Sequence, residues 1–198
     1  MRAIILVLAV MIGLSAQAQK IKLVSGDLSF LKGQKDLLVE FVYPEDMKVG
    51  KMLEADYIKK KQSEAEAKEA GTGEKWLRMW KADREEHYQP KFIELMNTYL
   101  EKKHVQVSDD ATAALYKIVV TTTFIEPGFS VGIAHKPASV NLSISFVEIA
   151  TGKEMAKITI DKSPGTAAFD YDSGYRIGEA YAKAGKELAK FLLKKKAF

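Results

Sequence analysis

The chain has 198 residues, 47% of them hydrophobic and 28% charged, a balance suited to one ordinary folded domain. Thirty Lys and Arg against 26 Asp and Glu leave a net charge of +4, too even for a nucleic-acid-binding stripe to dominate the surface. With no cysteine, disulfides, thiolate metal sites and cysteine nucleophiles are excluded, and three scattered histidines leave little for a zinc site.

The first segment reads as a secretory signal peptide. Arg2 supplies the positive start, Ala3 to Leu14 an apolar run too short to span a bilayer, and Ala16-Gln17-Ala18 a small-x-small cleavage site. Residues 1–18 would be removed, taking one basic residue and no acid. Gln19 stands where a lipoprotein needs cysteine, so the expected product is exported and not lipid-anchored, periplasmic or secreted. Export without cysteine points to a bacterial envelope.

Residues 19–198 are expected to form one α+β domain. Ile21 to Phe30 and Leu37 to Tyr43 read as strands, the second with Leu37, Val39, Phe41 and Tyr43 on one face. From about Gly50 to Lys103 the pattern is helical. A helix opening at Met52-Leu53 runs into the charged stretch Glu64 to Glu69, and residues 59–75 are polar, a solvated helix end or a mobile loop. Gly71-Thr72-Gly73 breaks the pattern, with Thr72 available to cap the next helix. That helix carries Trp76, Leu77, Trp80, Arg84 and Tyr88. Pro90 suits the first turn of a further one, with Phe92, Leu95, Met96 and Tyr99 as its stripe.

Three strands follow. Tyr116 to Phe124, Val140 to Phe146 and Ala156 to Ile160 each alternate apolar with polar residues, and the short Ala150-Thr151-Gly152-Lys153 turn predicts that the last two pair as an antiparallel hairpin. Between the first two lies a loop from Glu126 to Ala138, rich in Pro and Gly. The chain closes with an amphipathic helix over about 173–195, its stripe being Ile177, Tyr181, Ala184, Leu188 and Leu192. The expectation is a mostly antiparallel sheet of about five strands, with helices packed on it.

Motifs that carry chemistry are weak. Asp170-Tyr171-Asp172 begins like a calcium loop, but Tyr175 and Tyr181 stand where that loop needs Gly and Glu; Asp172 or Ser173 as a helix cap explains the segment better. Gly71 to Lys75 lacks phosphate-loop spacing. Lys194-Lys195-Lys196 gives at most weak contact with anionic lipid heads. Trp76 and Trp80 share a helix face with Arg84 one turn on. Exposed, they would bind a sugar, peptide or protein partner; buried, they are core, with Arg84 stacked on a ring or paired to an acid. Glu126-Pro127-Gly128-Phe129 puts a carboxylate and an aromatic at a sheet end, and Glu126 with Asp161, Asp170 or Asp172 would make an acid/base pair if they converged.

The leader, Trp76-x-x-x-Trp80, the Tyr116–Phe124 strand entering Glu126-Pro127-Gly128-Phe129, and the Tyr175–Tyr181 helix together resemble uncharacterised exported proteins of Bacteroidetes-type bacteria. The arrangement is also loosely similar to periplasmic α/β modules of envelope assembly factors. No functional residue comes with either resemblance. The reading is a non-catalytic envelope protein that binds or assembles, with Trp76, Trp80, Arg84, Glu126 and Phe129 as its contact residues. A carrier of a small apolar ligand and a carboxylate-dependent hydrolase are the alternatives. No cofactor, metal or nucleic acid is implied, and partners would be an envelope protein or a small apolar ligand.

Overall fold

The computed structural model describes residues 19–131, 134–166 and 172–198. Strand β1 (Lys20–Gly26) is followed by a 3-10 turn at Ser29–Leu31, so the expected strand ends before Leu28. Then come β2 (Asp36–Val42), the short β3 (Lys48–Val49) and β4 (Met52–Leu53), and helix α1 (Glu54–Glu66). Met52 and Leu53 thus belong to a strand and not to the first helical turn. Helix α2 (Thr72–Asp83) passes through a π-helical turn at Arg84–Tyr88 into α3 (Gln89–Leu100), with Pro90 in the first turn of α3 as expected. β5 (Gln106–Ser108), β6 (Tyr116–Glu126), β7 (Phe129–Val131), β8 (Ala134–Lys136), β9 (Ser139–Glu148), β10 (Glu154–Pro164) and α4 (Ser173–Lys194) complete the chain.

The main sheet has eight strands and is mixed, which corrects the expectation of a five-stranded, mostly antiparallel sheet. Its order is β1-β10-β9-β6-β2-β5, with β3 continuing along the β2 flank of β6 and β4 paired to β3. β1, β10, β9 and β6 run antiparallel, including the expected β9–β10 hairpin, whereas β2 lies parallel to both β5 and β6. The reason is connectivity. A parallel pair needs a long crossover, and the helical stretch from α1 to α3 supplies it between β2 and β5. The five longer strands are those the alternation predicts; the extra ones have two or three residues each, too few to show a period.

Alternation decides which face is covered. Val140, Leu142, Ile144 and Phe146 of β9, Ile118 and Val120 of β6, and Ile158 and Ile160 of β10 are buried under the helices. Thr121, Ser143, Ser145 and Thr159 line the opposite, partly exposed face. The predicted stripe of α4 is fully buried. Phe92, Tyr88, Tyr181 and Phe146 fill the space between the layers, with the Tyr88 and Tyr181 rings stacked at 5.1 Å.

Two caps show how local chemistry sets the ends. Asp172 accepts from the Gly174 N–H at 2.8 Å and caps α4, as expected. Thr72 does not cap α2; its hydroxyl donates to the carbonyls of Ala65 and Glu69. Glu66 does the work instead, reaching across the turn to accept from the N–H groups of Gly71 and Gly73. A carboxylate at the positive end of the next helix is the better electrostatic choice.

Candidate functional site

The candidate residues gather at the end of the molecule where β6 stops. There Glu126 holds the turn into the β7–β8 hairpin. One carboxylate oxygen accepts from the Gly128 N–H at 3.2 Å, the other from Lys136 Nζ at 2.6 Å. Gly128 has φ +65°, and a Cβ there would lie 2.3 Å from the Lys136 carbonyl, so the turn requires glycine. β7 and β8 form a separate two-stranded sheet, which leaves Phe129 46% and Val131 69% exposed. The short β3–β4 pair joins β6 at the same end through Phe124 and Ile125, and its Met52 and Leu53 are exposed as well.

An aromatic cluster lies beside this turn. Trp76 and Trp80 stack at 5.6 Å and 14°, and Tyr57 of α1 packs on both rings. Trp80 is core, 3% exposed; Trp76 is half-buried. Arg84 adopts both of its expected roles at once. Its guanidinium sits 4.2 Å from the centre of the Tyr43 ring, and Nη2 donates to both oxygens of Glu54 at 2.7 Å. Glu54 also accepts from the Trp80 indole N–H at 2.8 Å. One carboxylate therefore ties the start of α1 to α2 and to the π turn. Tyr57 links the cluster to the β6 turn electrostatically: burial first, then the charge of Glu126, pushes its hydroxyl up to about 12, against the opposing pull of Arg176.

The N-terminus of α4 closes the site. Arg176 is buried and donates from Nε to the Pro127 carbonyl, bracing the hairpin base. Asp83 packs against Gly174 so closely that a Cβ on that glycine would lie 2.2 Å from its carboxylate. His87 Nε2 is 3.6 Å from Asp83 Oδ1. Burial, and secondly the charge of Asp172, raise the Asp83 carboxyl from 3.8 to about 6.

In the folded protein Asp83 holds its proton more tightly than in the unfolded chain. Its contribution to stability is therefore complete below about pH 3.8 and is lost as pH rises through about 6. Asp83→Asn should stabilise the protein at pH 7.5 by on the order of 2 kcal/mol, and much less at pH 4. Urea unfolding of both proteins at the two pH values checks this; an equal gain at both would disprove the titration account.

The structure brings Trp76, Trp80 and Arg84 into one cluster, sets Glu126 within electrostatic reach of its Tyr57, and leaves Phe129 exposed on the β7–β8 hairpin. Asp161 is exposed on β10 opposite Lys20, Asp172 caps α4 and acts on Asp83, and Asp170 lies outside the described residues. Glu54, Tyr57, Asp83 and Arg176 are the residues that sequence reasoning missed. Only Arg176 left a trace: it falls next to Ile177, within the arc that α4 buries. Among the described residues no three His, Asp or Glu side chains come together as metal ligands, and no helix is long and apolar enough to cross a membrane.

No family model matches the chain, and no curated protein matches its sequence. Among solved structures, a point variant of the PelC dodecamer from Paraburkholderia phytofirmans is similar at 12% identity and a TM-score of 0.40, covering 87% of this chain and 98% of that one. A Xanthomonas campestris protein of family DUF330 is similar at 9% identity and a TM-score of 0.39, covering 82% of this chain and 85% of the other.

Proposed function

We propose that the protein is a non-catalytic, exported envelope protein that binds a protein partner through the end of the molecule where β6 stops. The observation that carries this reading is the β7–β8 hairpin. It stands apart from the main sheet, shows Phe129 and Val131 to solvent, and is held in place by the Glu126–Lys136 pair and by Arg176. An isolated hairpin is marginal in water, and exposed apolar side chains on a braced support suit a contact surface. Both oxygens of Glu126 are engaged in the turn, which suits a structural role better than acid/base chemistry. The leader-like pattern of residues 1–18 in the sequence supports export.

Phe129→Ser combined with Val131→Asp should reduce capture of the partner from an envelope fraction at least about tenfold, as for central contact residues. Both side chains are exposed, so the thermal midpoint should move by no more than about 2 °C. Cross-linking from position 131 identifies the partner. Undiminished capture by the double variant would sink the reading, as would retention of the chain inside the cell.

A further inference from the structure

We infer that the C-terminal half of α4 is a docking surface for an acidic polysaccharide, one that carries a carboxylate on each sugar. This goes beyond the hairpin reading and needs neither Phe129 nor Val131, because the surface lies at the other end of α4 from the turn that Arg176 braces. Charge is the first observation. Residues 183–196 hold six lysines and one glutamate, a net +5 in a chain whose total is +4, so all other residues together sum to −1. The positive excess of the molecule is therefore concentrated on one helix end. Helix geometry sets these charges in line. Lys183, Lys186, Lys190 and Lys194 stand at i, i+3, i+7 and i+11, on one face, over about 17 Å. Balancing the helix dipole would need lysines in the last turn alone, and Lys183 lies three turns before it.

The surroundings leave this line short of anions. Tyr99 of α3 steadies two of its members, with Lys186 and Lys190 Nζ 5.3 and 5.4 Å from the ring centre. Glu187 is shared between Lys183 at 3.5 Å and Lys190 at 3.4 Å, and among the described residues no carboxylate lies within ion-pair distance of Lys186 or Lys194. The lysines border a hollow of about 360 Å³ between α3 and α4, whose walls include Lys91, Leu95, Ala182, Lys183 and Lys186. Spacing and shape then select the polymer. One charge recurs about every 5 Å along the helix, close to the length of one sugar in an extended chain. Duplex DNA presents its charges about three times more densely. A lipid surface is flat and takes up apolar side chains, whereas this face is grooved, and Tyr175, the exposed large apolar residue of α4, stands at the opposite end.

The test is isothermal titration calorimetry of the full chain with polygalacturonate at low salt, with dextran as the uncharged control. Heat with polygalacturonate and none with dextran, fading as salt is raised, is the expected result. Lys186→Gln, Lys190→Gln and Lys194→Gln together should weaken binding at least about tenfold. The same charge removed at Lys22, Lys51 and Lys153, all exposed elsewhere, should change it less than about twofold. Glu187→Gln releases Lys183 and Lys190 and should tighten binding about threefold. The Phe129→Ser, Val131→Asp protein should bind polygalacturonate as the wild type does, which keeps the fate of this surface separate from that of the hairpin. Equal losses in the two triple variants would overturn the inference, since net charge alone would then explain the binding. So would the absence of binding to polygalacturonate. Tighter binding, at equal total charge, to single-stranded DNA or to phosphatidylcholine–phosphatidylglycerol vesicles of about 3:1 composition would overturn it as well.

Discussion

Gly185→Ala should destabilise the protein by about 2 kcal/mol, although alanine is the better helix former. A Cβ at Gly185 would lie 2.2 Å from the Phe92 carbonyl oxygen and 3.0 Å from the carbonyl carbon. Those are backbone atoms of α3, so no side chain can swing aside; the helices must separate. Phe92 lies at the base of this contact, fully buried and edge-on to Phe41. Overpacking of this kind costs about 1–3 kcal/mol, occasionally more, and the gain in helix propensity returns up to about 1 kcal/mol. Gly178 makes the internal comparison. Its Cβ would meet His87 Cβ at 3.3 Å, a contact that a few tenths of an ångström relieves. Gly178→Ala should therefore stay within about 1 kcal/mol of the wild type. Urea unfolding of the two variants decides the matter: a Gly185→Ala protein as stable as Gly178→Ala would mean that α3 and α4 are not in close backbone contact.

The second large effect is expected at Glu54. Its carboxylate holds the Arg84 guanidinium and the Trp80 indole together, and its side chain is 13% exposed. Glu54→Ala leaves a cation above Tyr43 and an indole N–H without their acceptor. The loss should be about 2–3 kcal/mol, below that of a wholly buried pair because Arg84 keeps some contact with water. Both tryptophans belong to this cluster, and α1 buries none of its own residues. Fluorescence should therefore report loosening of α1 and α2 at a lower urea concentration than circular dichroism reports loss of the sheet. Combining Glu54→Gln with Arg84→Met removes both charges and should recover at least about 1 kcal/mol. A double variant as weak as the sum of its singles would show that the pair is not coupled.

The contrast between β9 and Glu54 explains what could be read in advance. Val140, Leu142, Ile144 and Phe146 announce a half-buried strand through a period of two, and the turn after Ala150 announces its partner, because the pairing is local. The neighbours of β2 are announced by nothing near it. Leu37 pairs with Val107, and Val39 with Ile118, across the whole helical stretch. The site divides in the same way. Trp76, Trp80 and Arg84 advertise one face through their spacing along a helix. Glu54 and Tyr57 reach that face from another helix, and no local period connects them. The π turn adds a further obstacle: it shifts the phase between Arg84 and Phe92, so the stripe of α3 cannot be extrapolated from that of α2.

The outermost position of β1 also dictates when the sheet can close. Among the described residues, the first strand to emerge must wait for the last, since Ile21 finds its place against Ile160. Until then its neighbour does not exist, and the sheet cannot be completed however long synthesis pauses. Contacts this distant in sequence form slowly. The β1 segment therefore stays an unpaired thread through most of the chain's own translation.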